Sequence, residues 1–476
     1  MQKAPATDPG MDSVSQLKSR HVTMIALGGV IGAGLFVGSS AAISNCGPSV
    51  LLTYAFTGLL VMGVMRMLGE MLIARPGLGS FIDYIREGCG PRISFMSAWL
   101  YWAFWVVTVG SEAIAGAIVM ENWFALPIWL VATLLVAAMV FINALAASIF
   151  GECEFWLSLI KVACIVGFCL VACVFLTGVL GGHPTPVHNF LGHGGFMPHG
   201  PAALLAILPT VLFSMVGSEI ATVAAAESAD AKQSIARVTR TIGTRISIFY
   251  IASLFLVLCV KPWDQIAPGQ SPFVLAMATM HVPGAAFIVR IVVLSAIVSC
   301  LNSSLYVTTR TLKGLALRGE APAFLAVTAS NGTPRNAVLF SGAVGLFVAF
   351  SSILAPGTVF AFLLSATGAI MLFAYLFIVT AHLSLRRRAI TEGAEWPYIG
   401  LPFFPVANYA IIAGILFVIV AMLADAQQRP TVISSLGALV AVGCAFQFVK
   451  FRQQKKTPVK KPSSPLSMDA SASISR

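Results

Sequence analysis

The chain has 476 residues, 58% of them hydrophobic and only 10% charged, with a formal net charge of +11 and a mean hydropathy of +0.89. Soluble domains carry about a quarter charged residues, so this composition excludes a soluble enzyme or binding module. The basic excess gathers at the ends of apolar segments rather than in one patch, which argues against nucleic acid and for a polytopic helical membrane protein.

Residues 1–20 form a polar tail ending in Lys18 and Arg20. They lack the short apolar core and small-residue cleavage site of a signal peptide, and they set the N-terminus inside. Apolar segments follow at 22–43, 49–73, 94–119, 126–149, 155–180, 202–226, 246–260, 286–312, 336–354, 358–382, 404–424 and 431–449. Turn-rich or charged stretches separate them, and a basic Ser/Pro-rich tail, 451–476, reads as disordered. Twelve segments place both termini inside, and only Lys261, Arg290 and Arg429 of the 29 basic residues then fall outside. The alternating pattern of a β-barrel is missing. The nine cysteines form no CxxC, so neither a disulfide framework nor a metal ribbon is expected.

Segment 1 contains Gly28-Gly29-Val30-Ile31-Gly32-Ala33-Gly34. Each Gly costs about 1 kcal/mol relative to Ala inside a helix. The bland reading is a helix-packing face, because Gly28/Gly32 and Gly34/Gly38 have small-xxx-small spacing. The other is a broken helix, whose irregular backbone is tolerated at mid-membrane only when buried in protein or lining a cavity. Segment 6 decides between them. It occupies the matching place in a second five-segment half and carries Phe213-Ser214-Met215-Val216-Gly217-Ser218-Glu219. Paired interruptions of this kind point to a transporter site between inverted repeats. N–H groups freed at a half-helix N-terminus suit a carboxylate, and freed carbonyls suit an ammonium, so the pair reads as an amino-acid site.

The chain resembles bacterial amino-acid permeases of the amino acid–polyamine–organocation superfamily. The resemblance is carried by Leu17-Lys18-Ser19-Arg20-His21 with Gly32-Ala33-Gly34-Leu35-Phe36, Met65 to Met71, Gly79-Ser80-Phe81, Trp99 to Trp102, Glu154-Phe155-Trp156 to Lys161-Val162, Ala224 to Glu227 and Ser299 to Ser303. Gly194 to Pro198 and Arg245 to Tyr250 are most similar to GABA permeases. The resemblance implies an all-α LeuT-type fold of twelve transmembrane helices. Two inverted five-helix repeats (22–180 and 202–382) are followed by two extra helices, 11 and 12 (404–449). It also implies a transporter rather than an enzyme, importing a zwitterionic amino acid with a proton across the bacterial inner membrane. GABA leads as substrate, with alanine, glycine, D-serine or proline as the alternative within the class. A non-transporting receptor or a channel is the alternative outside it. The proton is the coupling ion, no other cofactor or metal is expected, and the partners are the amino acid and the bilayer.

Carried over by position, the backbone of Ile31, Gly32, Ala33 and Gly34 would hold the substrate carboxylate. The backbone at Phe213 and Val216 would hold the amine, with the Phe213 ring as a lid. Ala33 stands where relatives often have a hydroxyl. Lys161 would replace the ion of sodium-driven relatives, near Asn302 and Ser303. Glu112 and Glu219 join the proton path, because a carboxylate at that depth must face a cavity or a partner. Glu154 lies seven residues from Lys161, about 10 Å along the axis, and is not expected to touch it. Arg66 and Glu70, spaced i,i+4, read as a structural pair. Trp99, Tyr101 and Trp102 read as an interfacial belt, while the deeper Trp105 lines the substrate path. His183, His188, His193 and His199 read as a solvated outer loop rather than a metal site. Gly32 to Gly38 is not a dinucleotide fingerprint, since no βαβ unit surrounds it.

Overall fold

The computed structural model describes residues 31–78, 80–121, 123, 125–145, 150–179, 184–220, 231–329, 333–397 and 403–456. Among these residues the elements are all helical. Ile31 and Gly32 are irregular, and a π-helical turn, Gly34–Gly38, leads into α1 (Ser39–Cys46). A turn at Gly47-Pro48 then opens α2 (Val50–Ala74). The short α3 (Phe81–Cys89) joins α4 (Pro91–Met120), followed by α5 (Ile128–Leu145) and α6 (Phe150–Leu176). A loop carrying α7 (Pro186–Leu191) leads to the pair α8 (Gly200–Ala206) and α9 (Leu208–Met215). Next, α10 (Ala231–Arg245) passes through a π-helical stretch, Ile246–Ala252, into α11 (Ser253–Val260). The chain finishes with α12 (Pro272–Thr279), α13 (Ala285–Leu317), α14 (Arg335–Phe350), α15 (Pro356–Thr391), α16 (Val406–Ala424) and α17 (Arg429–Lys456).

Each of the twelve apolar segments is helical over most of its described length, the exceptions being ends such as 177–179 and the irregular stretches at Ile31-Gly32 and Val216-Gly217. By length and composition, eight helices among the described residues can cross a membrane, or nine if the bent pair α8–α9 counts as one span. Two further apolar helices, Ile128–Ala144 and Ile248–Val260, are shorter. The first half of segment 1, including Gly28 to Val30, lies outside the described residues, as do Lys18, Arg20 and Ala224 to Glu227. Helix continues to Lys456, six residues into the tail read as disordered; an α-helix propagates readily beyond its apolar window once nucleated.

The core is built on α4, which packs against α13, α14, α15 and α5. Its buried surface runs around the whole helix at mid-length, from Val109 to Ala117. A helix apolar all round is a helix surrounded by others. Exposed apolar side chains instead mark the rim, on α6 (Trp156, Leu170), α16 (Phe417, Val420) and α17 (Val440, Phe448). These are the surfaces that lipid covers in a multi-pass membrane protein.

One polar cluster ties α2 to α15. Glu70 Oε2 accepts from His382 Nε2 at 3.0 Å, Arg386 Nη1 at 2.8 Å and Trp396 Nε1 at 3.2 Å. Asn408 Nδ2 lies 2.9 Å from His382 Nδ1. Both Glu70 and His382 are fully buried. The carboxylate therefore clamps residues more than 300 positions away, which extends its expected local role beside Arg66. Removing one partner of a buried ion pair costs about 3–5 kcal/mol, so Glu70→Ala is expected to lower the thermal unfolding midpoint in detergent by several degrees. Glu70→Asp, which keeps the charge but shortens the reach, should fall between.

Candidate functional site

The two interrupted segments meet beside α4. After Ile31-Gly32 the described helix begins at Ala33, whose backbone N–H turns to a side chain of α4. It donates to both oxygens of Glu112, at 3.1 and 3.0 Å. The π-helical turn that follows is a form that recurs at functional sites. Glycine is required here by close approach. A Cβ on Gly32 would stand 2.7 Å from Glu112 Oε1 and 2.8 Å from both Cβ and Sγ of Cys300. A Cβ on Gly34 would stand 2.7 Å from the Ser214 Cα. Close packing at Gly32 and Gly34 is thus observed, while Gly28 and the stretch that would form the first half of a broken helix lie outside the described residues.

On the facing segment, α9 ends at Met215. Val216 is extended, with φ −66° and ψ 156°, and Gly217 has φ +100°, a left-handed value that L side chains resist. The helix resumes at once, because Ile220 N–H donates to Gly217 O at 3.1 Å. A separate 42° bend lies between α8 and α9, ahead of Pro209.

Between the segments is a pocket of only about 10 Å³ lined by Gly32, Gly34, Trp105, Glu112, Phe213 and Val216, with Phe104, Thr108, Ser214 and Cys300 completing the wall. That volume matches a single water, so admitting an amino acid requires the aromatic wall to move. Phe104 contacts both Phe213 (ring centroids 6.0 Å apart) and Trp105 (5.0 Å). The buried Trp105 Nε1 has no hydrogen-bond acceptor among the described residues. Ile31 and Ala33 flank this pocket, fully buried.

The remaining site candidates fall into two separate networks. Glu219 Oε1 accepts from Tyr101 Oη at 3.1 Å and Oε2 accepts from Gly217 N–H at 3.0 Å. Tyr101 is therefore turned inward and does not belong to an interfacial belt; it is drawn there by the carboxylate that a dry interior cannot leave unpaired. Trp99 and Trp102 remain partly exposed, donating to Glu320 O and Ser341 Oγ. Beneath Glu219, Arg245 donates to Ser218 Oγ and is fully buried. The sequence places Arg245 among the basic residues of an inner loop, but α10 runs helically past it and carries it under the second break.

In the second network, Lys161 Nζ donates to Ser299 Oγ at 2.8 Å and lies 3.7 Å from Glu154 Oε1. Ser299 Oγ in turn lies 2.8 Å from both Glu154 oxygens. This corrects the expectation that Glu154 is not a direct partner. The axial rise was right, but Cα–Cβ bonds tilt toward the helix N-terminus, and the long Lys stem reaches back two turns. Asn302 turns away, accepting from Asn143 Nδ2 at 2.7 Å, while Ser303 is half-buried one turn beyond Ser299.

The histidine-rich loop is largely exposed, and two of its histidines are held by partners distant in sequence. His193 Nδ1 lies 2.8 Å from Asp264 Oδ2, and His199 Nδ1 lies 2.8 Å from Asn45 O. Asp264, 71 residues away, supplies the acidic companion that the loop's own sequence lacks. His183 lies outside the described residues, and among those described no group of three or more His, Cys, Asp or Glu is placed to hold a metal.

The amino acid permease family profile matches residues 21–460. The gamma-aminobutyric acid permease of Bacillus subtilis is 40% identical over 409 residues, 86% of this chain and 87% of that protein. The gamma-aminobutyric acid permease of Escherichia coli is 39% identical over 452 residues, covering 93% and 96%. The probable GABA permease of Pseudomonas aeruginosa is 40% identical over 423 residues, covering 88% and 89%. On a match that spans nearly the whole chain, with both interrupted segments inside it, this protein belongs to the amino acid permease family.

Proposed function

We propose that the protein is a secondary active transporter that carries a zwitterionic amino acid, 4-aminobutyrate first, into the bacterial cell together with one proton. In this reading twelve spans form two inverted five-helix repeats, 22–180 and 202–382, plus helices 404–449, in the inner membrane. Both termini and the basic helix ends are cytoplasmic. The identity and coverage of the GABA permeases support the substrate class.

The observation that carries the mechanism is the Ala33 N–H held on the Glu112 carboxylate. A backbone donor at a helix start already binds a carboxylate in this site, and the substrate carboxylate competes for the same donor. Once displaced, Glu112 is a buried anion without its hydrogen bond, a costly state in a dry pocket. Taking up a proton relieves that cost, which links one proton to one substrate. Extended Val216 offers its carbonyl to the substrate amine, with Phe213 as the lid between pocket and bulk. Trp105 Nε1 is a second donor for the carboxylate. Lys161, held by Ser299 and Glu154, stands for a resident cation and sets the coupling, while Glu219 and Arg245 hold the second break in shape.

One proton moved with a zwitterion carries one net charge. At a potential of about 100 mV this supplies ~2.3 kcal/mol, enough for roughly 50-fold accumulation. In proteoliposomes, labelled 4-aminobutyrate is expected to accumulate under an inward proton gradient without sodium and to leak out when a protonophore is added. Glu112→Gln, which cannot exchange a proton, should still exchange substrate across the membrane but fail to accumulate it. Accumulation that requires sodium and ignores the proton gradient would overturn the reading.

A further inference from the structure

At the basic end of the bundle lies a cavity of about 510 Å³ between α3, the start of α4, the end of α13 and α17. Its floor is a fixed ionic frame. Glu320 accepts from Arg86 and, at 3.0 Å, from Arg318 Nε; Arg318 Nη1 reaches Asp83 at 3.4 Å. The mouth differs from the floor. Arg92 and Lys450 line it, both exposed, and neither makes an ion pair or hydrogen bond among the described residues. Arg86 Nε is buried without a partner among the described residues. The N-terminal turn of the 30-residue α4 also opens here, through Gly90 and Pro91, adding free N–H groups and the positive end of a helix dipole.

We infer that this cavity is a binding site for the phosphate of an anionic phospholipid from the adjacent leaflet. Two unpaired cations and a helix start recognise a phosphodiester. The third wall decides for a lipid. It is made by Phe446 and Val449 of α17, whose neighbours Phe448 and Phe451 are 60% and 54% exposed on the lipid-facing rim. A headgroup in the cavity leaves its acyl chains running along that apolar face, in contact with the bilayer. Basic pockets between helix ends are the known form of such sites. A choline or ethanolamine headgroup would bring its own cation against Arg92 and Lys450 and gain less. That the site faces the cytoplasm rests on the orientation proposed above; the binding itself does not.

The test is native mass spectrometry of the full chain released from detergent with added phosphatidylglycerol or phosphatidylethanolamine, no transport being measured. Phosphatidylglycerol should be retained on the protein and phosphatidylethanolamine lost. Arg92→Gln with Lys450→Gln should weaken retention about 30-fold, from the worth of two cations near a membrane surface. Arg92→Lys with Lys450→Arg should keep it, which separates charge recognition from a folding defect. Equal retention of both lipids, or retention unaffected by the double Gln variant, overturns the proposal. So does displacement of phosphatidylglycerol by inorganic phosphate at millimolar concentration, which would make this a free-anion site. Either result leaves the transport reading standing.

Discussion

Gly32→Ala is expected to cut initial uptake by roughly 100-fold or more, with the protein still folded and inserted. The added methyl would sit 2.7 Å from Glu112 Oε1 and 2.8 Å from Cys300 Sγ and Cβ. Overpacking of this kind costs about 1–3 kcal/mol, and pushing Glu112 off the Ala33 N–H forfeits a hydrogen bond to a charged group worth about 1.5–3 kcal/mol. The nearest atom in the way is the far end of the Glu112 side chain, and the next, Cys300 Cβ, is fixed to the α13 backbone, so the strain falls on the site where these three residues meet. Gly34→Ala is different: its methyl meets the Ser214 backbone at 2.7 Å, and its main symptom should be low yield. The two variants are separated by size-exclusion profiles in detergent, and Gly32→Ala by uptake in proteoliposomes. Cys300→Gly in the Gly32→Ala background clears space for the carboxylate to swing aside and should restore uptake about tenfold, the effect of ~1.4 kcal/mol of relieved strain. Wild-type uptake by Gly32→Ala would show that the approach of Gly32 to Glu112 has no part in transport.

That pair of carboxylate and glycine also marks the limit of what can be read along a chain. Hydropathy and Gly spacing are local properties; they located the long apolar helices and the break at Val216–Gly217, and missed the short helix Phe81–Cys89 and the polar helix Ala231–Arg245. The partner of Glu112 is 79 residues away, and nothing in either local stretch names the other. Chain position failed in the same way at Arg245. Its neighbours make it look like one more basic loop residue, yet the polar helix α10 continues without a break into the π-helical stretch and α11, so Arg245 ends fully buried below Ser218. The signal for it was present but weak: an Arg immediately preceding an apolar run in a family-like motif. Tyr101 was misread because its aromatic neighbours Trp99 and Trp102 do sit near the rim, while α4 turns it 100° per residue away from them toward Glu219. Lys161, Glu112 and Glu219 stood out in sequence for a physical reason: an ionisable residue in an apolar helix is expensive and must be partnered. Sequence shows that a partner exists and leaves its identity to the fold.

The Lys161 network supplies the test that divides structural worth from coupling. Lys161→Ala is expected to be the most damaging single change among these residues, because it strands the buried Glu154 carboxylate, held then among the described residues by the hydroxyls of Ser299 and Ser158. Loss of one member of a buried pair costs about 3–5 kcal/mol, enough to lower the unfolding midpoint and the yield and to make lost uptake ambiguous. The informative variant is therefore the double change Lys161→Met with Glu154→Gln. Removing both charges abolishes the stranded anion, and replacing a buried pair by neutral groups of similar volume is commonly neutral or stabilising. Its unfolding midpoint should return to within a few degrees of the unmodified protein. Its transport should not return in full. Exchange of labelled for unlabelled 4-aminobutyrate needs only the pocket between Gly32–Gly34 and Phe213–Val216, and should persist. Accumulation driven by the proton gradient needs, in the proposed coupling, the buried cation that Lys161 supplies, and should be lost. A double variant that recovers stability and accumulates substrate as well as the native protein would assign Lys161 and Glu154 to packing alone and return the whole of proton coupling to Glu112 at the Ala33 N–H.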